Sequence, residues 1–390
     1  MKYTLNNDLL TILLEGRVDS SNAPKTEEEI FSILNANQYN NFIIDVENLE
    51  YISSAGLRVI LKCKKNNPKI KIVNASSEVY EIFEMTGFSE MIPIEKAFKK
   101  MSVDGCEIIG QGAKGIVYRY NDDTIIKVYK NPDSLPDIKN ERELARRAFV
   151  LGIPTAISYD IVKVGNSYGS VFELLNAKSY SKLIANDTEN RDKYINEYAL
   201  LLKKIHSTQV KETDMPNIKP WMINYIDASE PYLKKEDAEK IRKLITDVPD
   251  RLNMLHCDYH TNNVMSQNGE TLLIDMDTLS HGHPIFELAN IYVTYVGFGM
   301  ADPKIVETFV KMPYETAVYI WKKFLPTYLG TDDESIIKAV ENKAKLISDI
   351  RAIRHHIRYY GADSEEAKKA IPIYKADIEA ILPTISTLEF

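Results

Sequence analysis

The stretch from Leu255 to Asp277, LHCDYHTNNVMSQNGETLLIDMD, constrains the chain more than any other. It sets His256, Asp258 and Asn263 in one polar run, then Asn268-Gly269, then the apolar Leu272-Leu273-Ile274 ending on Asp275. Two short β-prone runs around an Asn-Gly pair fold into a hairpin, which returns Asp275 to the side of Asn263. The residue types suit phosphoryl transfer from a nucleoside triphosphate. That chemistry wants a carboxylate beside the attacking hydroxyl and oxygen ligands for the magnesium on the phosphates. Asp258 offers the first, while Asn263 and Asp275 offer the second. Against this stands an ordinary loop, in which His, Asp and Asn are all common.

Upstream residues weigh against the ordinary loop. His-x-Asp-x-x-x-x-Asn followed by a metal-binding Asp is the spacing of kinase catalytic loops. EIIGQGAKGIVYRYNDDTIIKVY, from Glu107, sets Gly110, Gly112, Gly115 and Val117 in the pattern of a loop that covers ATP phosphates. A dinucleotide-binding loop would run straight into a helix. Here Ile116, Val117 and Tyr118 follow, so the loop is expected between two strands. Lys127, embedded in Ile-Ile-Lys-Val, can hold the phosphates, although a lysine snorkelling from a strand is the commoner case. The helix expected over Asp137–Leu151 carries Glu141 and Glu143, and counting back from Gly152-Ile153-Pro154 favours Glu141 as the partner of Lys127. Val171–Leu175 ends a strand before a small-residue linker, so Glu173 falls where an adenine would stack. Tyr194–His206 reads as an amphipathic helix, with His206 a helix-end residue rather than a ligand.

At 390 residues, two or three domains are expected. The chain is 44% hydrophobic and 27% charged, with 48 basic against 56 acidic residues and a net charge of −8. This is ordinary globular composition and argues against nucleic-acid binding. Three cysteines in no metal spacing suggest a reduced, cytoplasmic setting. The polar start implies no secretory leader, and no apolar run approaches membrane-spanning length.

The first hundred residues alternate strands and helices: a hairpin over Lys2–Asn6 and Leu9–Leu14, a helix over Thr26–Leu34, a strand at Asn41–Val46, a helix over Ala55–Lys65, a strand at Ile70–Val73 and a helix over Glu78–Met85. This describes a small α/β domain. IIDVENLEYISSAGLRVIL and Gly16-Arg17-Val18-Asp19 resemble the signatures of the STAS domain, named for sulphate transporters and anti-sigma-factor antagonists. The resemblance implies a partner protein and a phosphorylatable serine at position 54. A serine at a helix N-terminus sits where backbone N–H groups favour phosphate, though capping alone also accounts for it.

Residues 104 to about 330 resemble the aminoglycoside phosphotransferase and choline kinase superfamily. His260 stands two residues after Asp258, as in that family's H-G-D-x-H-x-x-N loop. Ile274-Asp275-Met276-Asp277 is similar to its I-D-(W/F)-(E/D), and Gly282-His283-Pro284-x-x-Glu287-Leu288-Ala289 to its G-x-P-x-x-D-L-A. Cys257 replaces the usual glycine and Met276 the usual aromatic. The resemblance implies ATP and Mg2+ as cofactors, Asp258 as catalytic base with His256 in the same loop, Asn263 and Asp275 on magnesium, and Lys127 with Glu141 organising the phosphates. The expected fold is thus an α/β STAS-like domain (1–100) plus an α+β bilobal protein-kinase-like phosphotransferase domain (104–390). Its N-lobe is expected over about 104–175 and its helical C-terminal part over about 176–390.

In that part, Ile347, Ile350, Ile353 and Ile357 form an apolar stripe, and Arg351, Arg354, His355, His356 and Arg358 lie off it. A solvated basic face is the plainer reading, and a face for an anionic substrate the sharper one. The expected activity is Mg-dependent ATP phosphotransfer to a hydroxyl of a small molecule or a protein, with the STAS domain regulating it or recruiting a partner. The alternatives are a catalytically weak nucleotide-binding module coupled to an interaction switch, and a partner protein whose working residue is Ser54. Every catalytic position is filled, which favours the enzyme.

Overall fold

Lys2–Asn6, Leu9–Val18, Asn41–Ile52, Lys71–Ala75 and Ile94–Lys96 lie in sequence order across one five-stranded sheet. The structure is a computed structural model that describes residues 1–390, and they form two units: 1–102 with 161–166, and 103–160 with 167–390. In the first unit the opening hairpin is antiparallel and the remaining neighbours are parallel. Parallel neighbours in sequence order, joined by right-handed crossovers, place the connecting helices on one face. The strands carry the imprint of that one-sided cover. Leu10, Ile12, Leu14, Phe42, Ile44 and Val46 are buried in a cluster with Ile30, Leu57, Ile60 and Phe83, while alternate strand residues are partly exposed.

The first helix runs over Ala23–Ala36, starting three residues before the expected Thr26. Pro24 accounts for the difference, since its fixed φ and missing N–H suit a first helical turn. Glu27, Glu28 and Glu29 therefore lie beyond that turn, and Glu29 meets the N-terminal ammonium at 2.9 Å. The second helix is Ser54–Asn66. Ser53 is its cap: the Ser53 hydroxyl accepts the Ala55 N–H at 3.2 Å, which leaves Ser54 exposed as the first helical residue.

The second unit begins with antiparallel strands Glu107–Gln111, Gly115–Arg119, Thr124–Tyr129 and Ser167–Glu173. A helix over Leu135–Val150 follows the third of them. The rest is mainly helical, around one large apolar cluster that includes Ile205, Leu288, Phe324, Ile347 and Tyr374. Long helices cover Arg191–Ser207, Tyr314–Leu329, Glu334–Tyr360 and Glu365–Ile381. Ile347, Ile350 and Ile353 are buried as their spacing predicts, but His356 is buried with them and is no part of a solvated face. No helix is long and apolar enough to cross a membrane.

Asp349 is the least expected member of this interior. It is fully buried on Glu334–Tyr360 with neither carboxyl oxygen hydrogen-bonded, and the carboxyl of Asp377 on Glu365–Ile381 acts on it. Lys345 meets Asp377 at 2.6 Å. Burial pushes the Asp349 carboxyl well above its ordinary range, and Asp377 adds to the rise against the opposing charge of Lys345. A carboxyl so placed keeps its proton. The folded state then binds that proton more tightly than the unfolded chain, so stability falls as pH rises above the ordinary carboxylate value of about 4. Asp349→Asn, with its own N–H donors, is expected to stabilise the protein by about 1–3 kcal/mol near neutral pH. The gain should shrink toward pH 4, as read by urea unfolding at several pH values.

Candidate active site

The glycine-rich turn lies between Glu107–Gln111 and Gly115–Arg119 as expected, and its glycines are not equivalent. A Cβ on Gly115 would sit 2.6 Å from the Val128 carbonyl oxygen, inside the neighbouring strand's backbone. A Cβ on Gly110 would touch Val117 at an ordinary 3.5 Å, and one on Gly112 would meet nothing within 4 Å. Gly115 is thus fixed by strand packing, and Gly112 leaves the top of the turn open. Val117 is the ladder partner of Lys127.

Lys127 Nζ lies 3.1 Å from Glu141 Oε1 and 3.1 Å from Asp275 Oδ1. Glu141 is buried, and its other oxygen accepts the Tyr129 hydroxyl at 2.9 Å. Burial alone would drive the proton off Lys127, but the charges of Glu141 and Asp275 outweigh it and hold the pKa above the usual lysine range. Glu143 faces away and pairs with Arg147 at 2.9 Å. Glu173 is exposed at the end of its strand, opposite Thr124.

Val264–Gln267 and Glu270–Leu273 form the expected hairpin. Asn268 and Gly269 both have positive φ, 53° and 85°, as a type I′ turn requires. Past the last rung, the Ile274 N–H donates to the Asn263 carbonyl at 3.0 Å, which draws Asp275 toward the loop. Asn263 Nδ2 donates to the Asp258 carbonyl at 3.0 Å and reaches Asp258 Oδ2 at 3.4 Å. Burial would raise the Asp258 pKa, but the His260 hydrogen bond and the charges of His260, His256 and Arg351 hold it down to about 2. His256 lies behind the loop, fully buried, with its Nδ1 accepting the Asp258 N–H at 3.4 Å. Its imidazole has no exposed surface, and its contacts are within the loop.

Glu287 holds this loop from below. It is fully buried, and its carboxylate accepts the backbone N–H of His256 at 2.8 Å and of Cys257 at 2.6 Å. The same carboxylate lies 2.8 Å from His206 Nε2, whose other ring nitrogen is 2.7 Å from the Tyr328 hydroxyl. His206 ends its helix as expected, but inside this network. Cys257 adopts φ +67°, a left-handed conformation that favours glycine, and its bond to Glu287 helps to hold it there. The π-helical turn Val293–Gly297 presents Tyr295, whose hydroxyl accepts the Thr261 N–H at 2.8 Å.

One further contact escaped the sequence: Lys114, within the glycine-rich turn, is ion-paired with Asp277. Oxygen atoms of Glu141, Asp275 and Asp277 all lie within 4.8 Å of one another. Asp277 was visible in the Ile-Asp-Met-Asp run, but its partner lies on a separate segment of the chain.

Removing the Glu287 carboxylate would strand two buried N–H groups and a buried imidazole. Glu287→Ala is expected to cost about 3–5 kcal/mol. Denaturant unfolding measures it, and a loss below about 1 kcal/mol would rule out the anchoring role.

Comparison with known proteins places these features in families. The STAS domain profile matches residues 1–101, and that of the phosphotransferase enzyme family matches residues 105–313. A protein of Bordetella bronchiseptica named as an anti-sigma factor antagonist, BtrV, is 32% identical over 100 residues, which are 24% of this chain and 85% of that protein. Among solved structures, the ADP-bound aminoglycoside phosphotransferase APH(2'')-Ib is 16% identical, covering 80% of this chain and 99% of its own, with a TM-score of 0.45. A choline/ethanolamine kinase family protein from Mesorhizobium loti is 14% identical, covering 71% and 87%, with a TM-score of 0.47. The chain belongs to the phosphotransferase enzyme family, with an N-terminal STAS domain ahead of its kinase-like phosphotransferase domain.

Proposed function

We propose that this protein transfers the γ-phosphoryl group of ATP to the hydroxyl of a small molecule, with magnesium, and that its STAS domain regulates the reaction or recruits a partner protein. The observation that carries this reading is the position of Lys127 Nζ, 3.1 Å from both Glu141 Oε1 and Asp275 Oδ1, beside a loop in which Asn263 ties to Asp258. The donor set suits magnesium. Asn263 and Asp275 would hold it, with Asp277 close by, and all of them offer the oxygen ligands a hard cation takes. When bound, the ion would neutralise phosphate charge as the leaving group departs.

The chain's own residues do the remainder. Lys127, fixed by Glu141, orients the phosphates; Gly110, Gly112 and Gly115 let backbone approach them; Val117 and Glu173 flank the base. Asp258 receives the acceptor hydroxyl's hydrogen bond, and takes its proton as the new P–O bond forms and the bond to the nucleotide breaks. A carboxylate held near pKa 2 is a weak base. That suits a loose transition state, in which positioning the hydroxyl matters more than early deprotonation.

Asp258→Asn is expected to lower kcat by about 100-fold or more with little change in ATP affinity, because the base contributes to the reacting state alone. Lys127→Ala should lose activity, and Glu141→Ala should lose more than Glu143→Ala, whose partner is Arg147. ADP formation and equilibrium nucleotide binding measure both effects. Parent-like turnover by Asp258→Asn would reject the assignment.

A second reading concerns the STAS domain. With Ser53 acting as cap, the Ser54 hydroxyl is exposed at a helix N-terminus, where a phosphate would gain from backbone N–H groups. We expect intact-mass analysis after exposure to magnesium, ATP and a STAS-directed kinase to show one added phosphoryl group, absent from Ser54→Ala and retained in Ser53→Ala. Retention in Ser54→Ala would exclude Ser54 as the site.

A further inference from the structure

The helix Glu334–Tyr360 carries three arginines at spacing i, i+3, i+7: Arg351, Arg354 and Arg358. None of them meets a carboxylate. Arg351 Nη1 donates to the Asn290 side-chain oxygen at 2.8 Å and to the Asn290 carbonyl at 3.4 Å. Arg354 bonds the Asn224 side-chain oxygen at 3.0 Å and lies over the Tyr225 ring. Arg358 is exposed, with neither an ion pair nor a hydrogen bond. In a chain of net charge −8, a row of arginines without an acidic neighbour is a departure from ordinary surface pairing.

Arg351, the first of the row, is linked to the loop that carries Asp258. Asn290, the partner of Arg351, reaches the Cys257 carbonyl at 3.4 Å, one residue before Asp258. The charge of Arg351 adds, after those of His260 and His256, to what holds the Asp258 carboxyl low. His355, one turn from Arg351, packs against the Phe298 and Tyr359 rings, with the charges of His356, Arg351 and Arg354 acting on it, while Asp302 lies nearer His356 and Tyr360. Beside Asp258 stands His260, its ring edge on Phe309. Of the three guanidinium groups, that of Arg351 is the one tied to the Asp258 loop, and its remaining N–H groups have no partner in the protein.

We propose that the acceptor alcohol carries an anionic group, a carboxylate or a phosphate, and that Arg351 binds that group while Asp258 receives the hydroxyl. The inference rests on the phosphotransfer reading above and names its substrate class. A planar guanidinium held on one side by a neutral amide keeps its remaining N–H groups for a bidentate oxyanion. Its charge also offsets the repulsion such an acceptor would otherwise feel from Asp258. A cationic amino alcohol would gain nothing here and would meet Arg351 as a like charge.

The test uses the full chain, magnesium and ATP, and follows ADP formation with matched alcohols: glycerol, glycerate and glycerol 3-phosphate, against choline and kanamycin. At least one anionic compound is expected to be turned over with a KM about tenfold or more below that of its neutral parent. Comparing glycerate with glycerol 3-phosphate assigns the anion to carboxylate or phosphate. Arg351→Gln should raise that KM by about tenfold or more, with kcat within about threefold. Arg351→Lys should recover part of the loss. Exposed Arg358→Gln, which disturbs no contact, should raise KM by a smaller factor. Turnover of choline or kanamycin in preference to the anions overturns the inference and leaves the phosphotransfer reading standing, as does an unchanged KM for the anion in Arg351→Gln. If no alcohol stimulates ADP formation although ATP binds in a Lys127-dependent way, the inference falls together with the transfer reading.

Discussion

The catalytic loop is held by one buried carboxylate. Glu287 uses both oxygens on three groups from two segments: the adjacent amides of His256 and Cys257 and the ring of His206. A buried carboxylate without such partners would be expensive, and with them it becomes a rigid node, because each donor would be costly to release. Three consequences follow in sequence. The amide of Cys257 is pinned, so the residue can keep a left-handed backbone despite its side chain. The chain then turns so that Asp258 faces the cleft while His256 stays behind it. Asn263, tied to Asp258, passes its carbonyl to Ile274 and so brings in Asp275.

What the sequence made legible was whatever depends on local spacing. The hairpin at Asn268-Gly269, the strand bearing Lys127 and the choice of Glu141 over Glu143 all follow from turn chemistry and helical counting. The structure has these elements in place. The contacts between distant segments were not legible. Lys114 and Asp277 have no shared periodicity, nor do Arg351 and Asn290, and their pairing depends on how separate elements pack. His256 illustrates the same limit from the other side: its motif names it, but only packing reveals that it has no exposed surface. At the STAS junction one residue of register decided the matter. Two adjacent serines are equally good caps on paper, and the geometry gives the capping bond to Ser53.

Charge is arranged in opposite ways on the two sides of the reacting centre. Around the proposed phosphate site, three carboxylates, Glu141, Asp275 and Asp277, face two ammonium groups, Lys127 and Lys114, which leaves one negative charge over. A divalent cation would offset that excess and part of the phosphate charge, and the two ammonium groups would meet the rest. On the other side, Arg351, Arg354 and Arg358 have no carboxylates to match them. A face left positive favours a negative ligand.

That asymmetry also bears on why the arginine row survives without acids of its own. Placing a carboxylate beside Arg351 would stabilise the helix surface only modestly, since a partly exposed ion pair is worth about 0–1 kcal/mol. It would also occupy the N–H donors and cancel the field at Asp258. The neutral Asn290 avoids both effects: it fixes one guanidinium nitrogen through its side-chain and backbone oxygens, links it to the Cys257 carbonyl, and leaves the charge uncompensated. Orientation and charge are thereby separated. The loop's position is set by buried, fully partnered Glu287, and the electrostatic character of the approach by half-exposed, incompletely partnered Arg351.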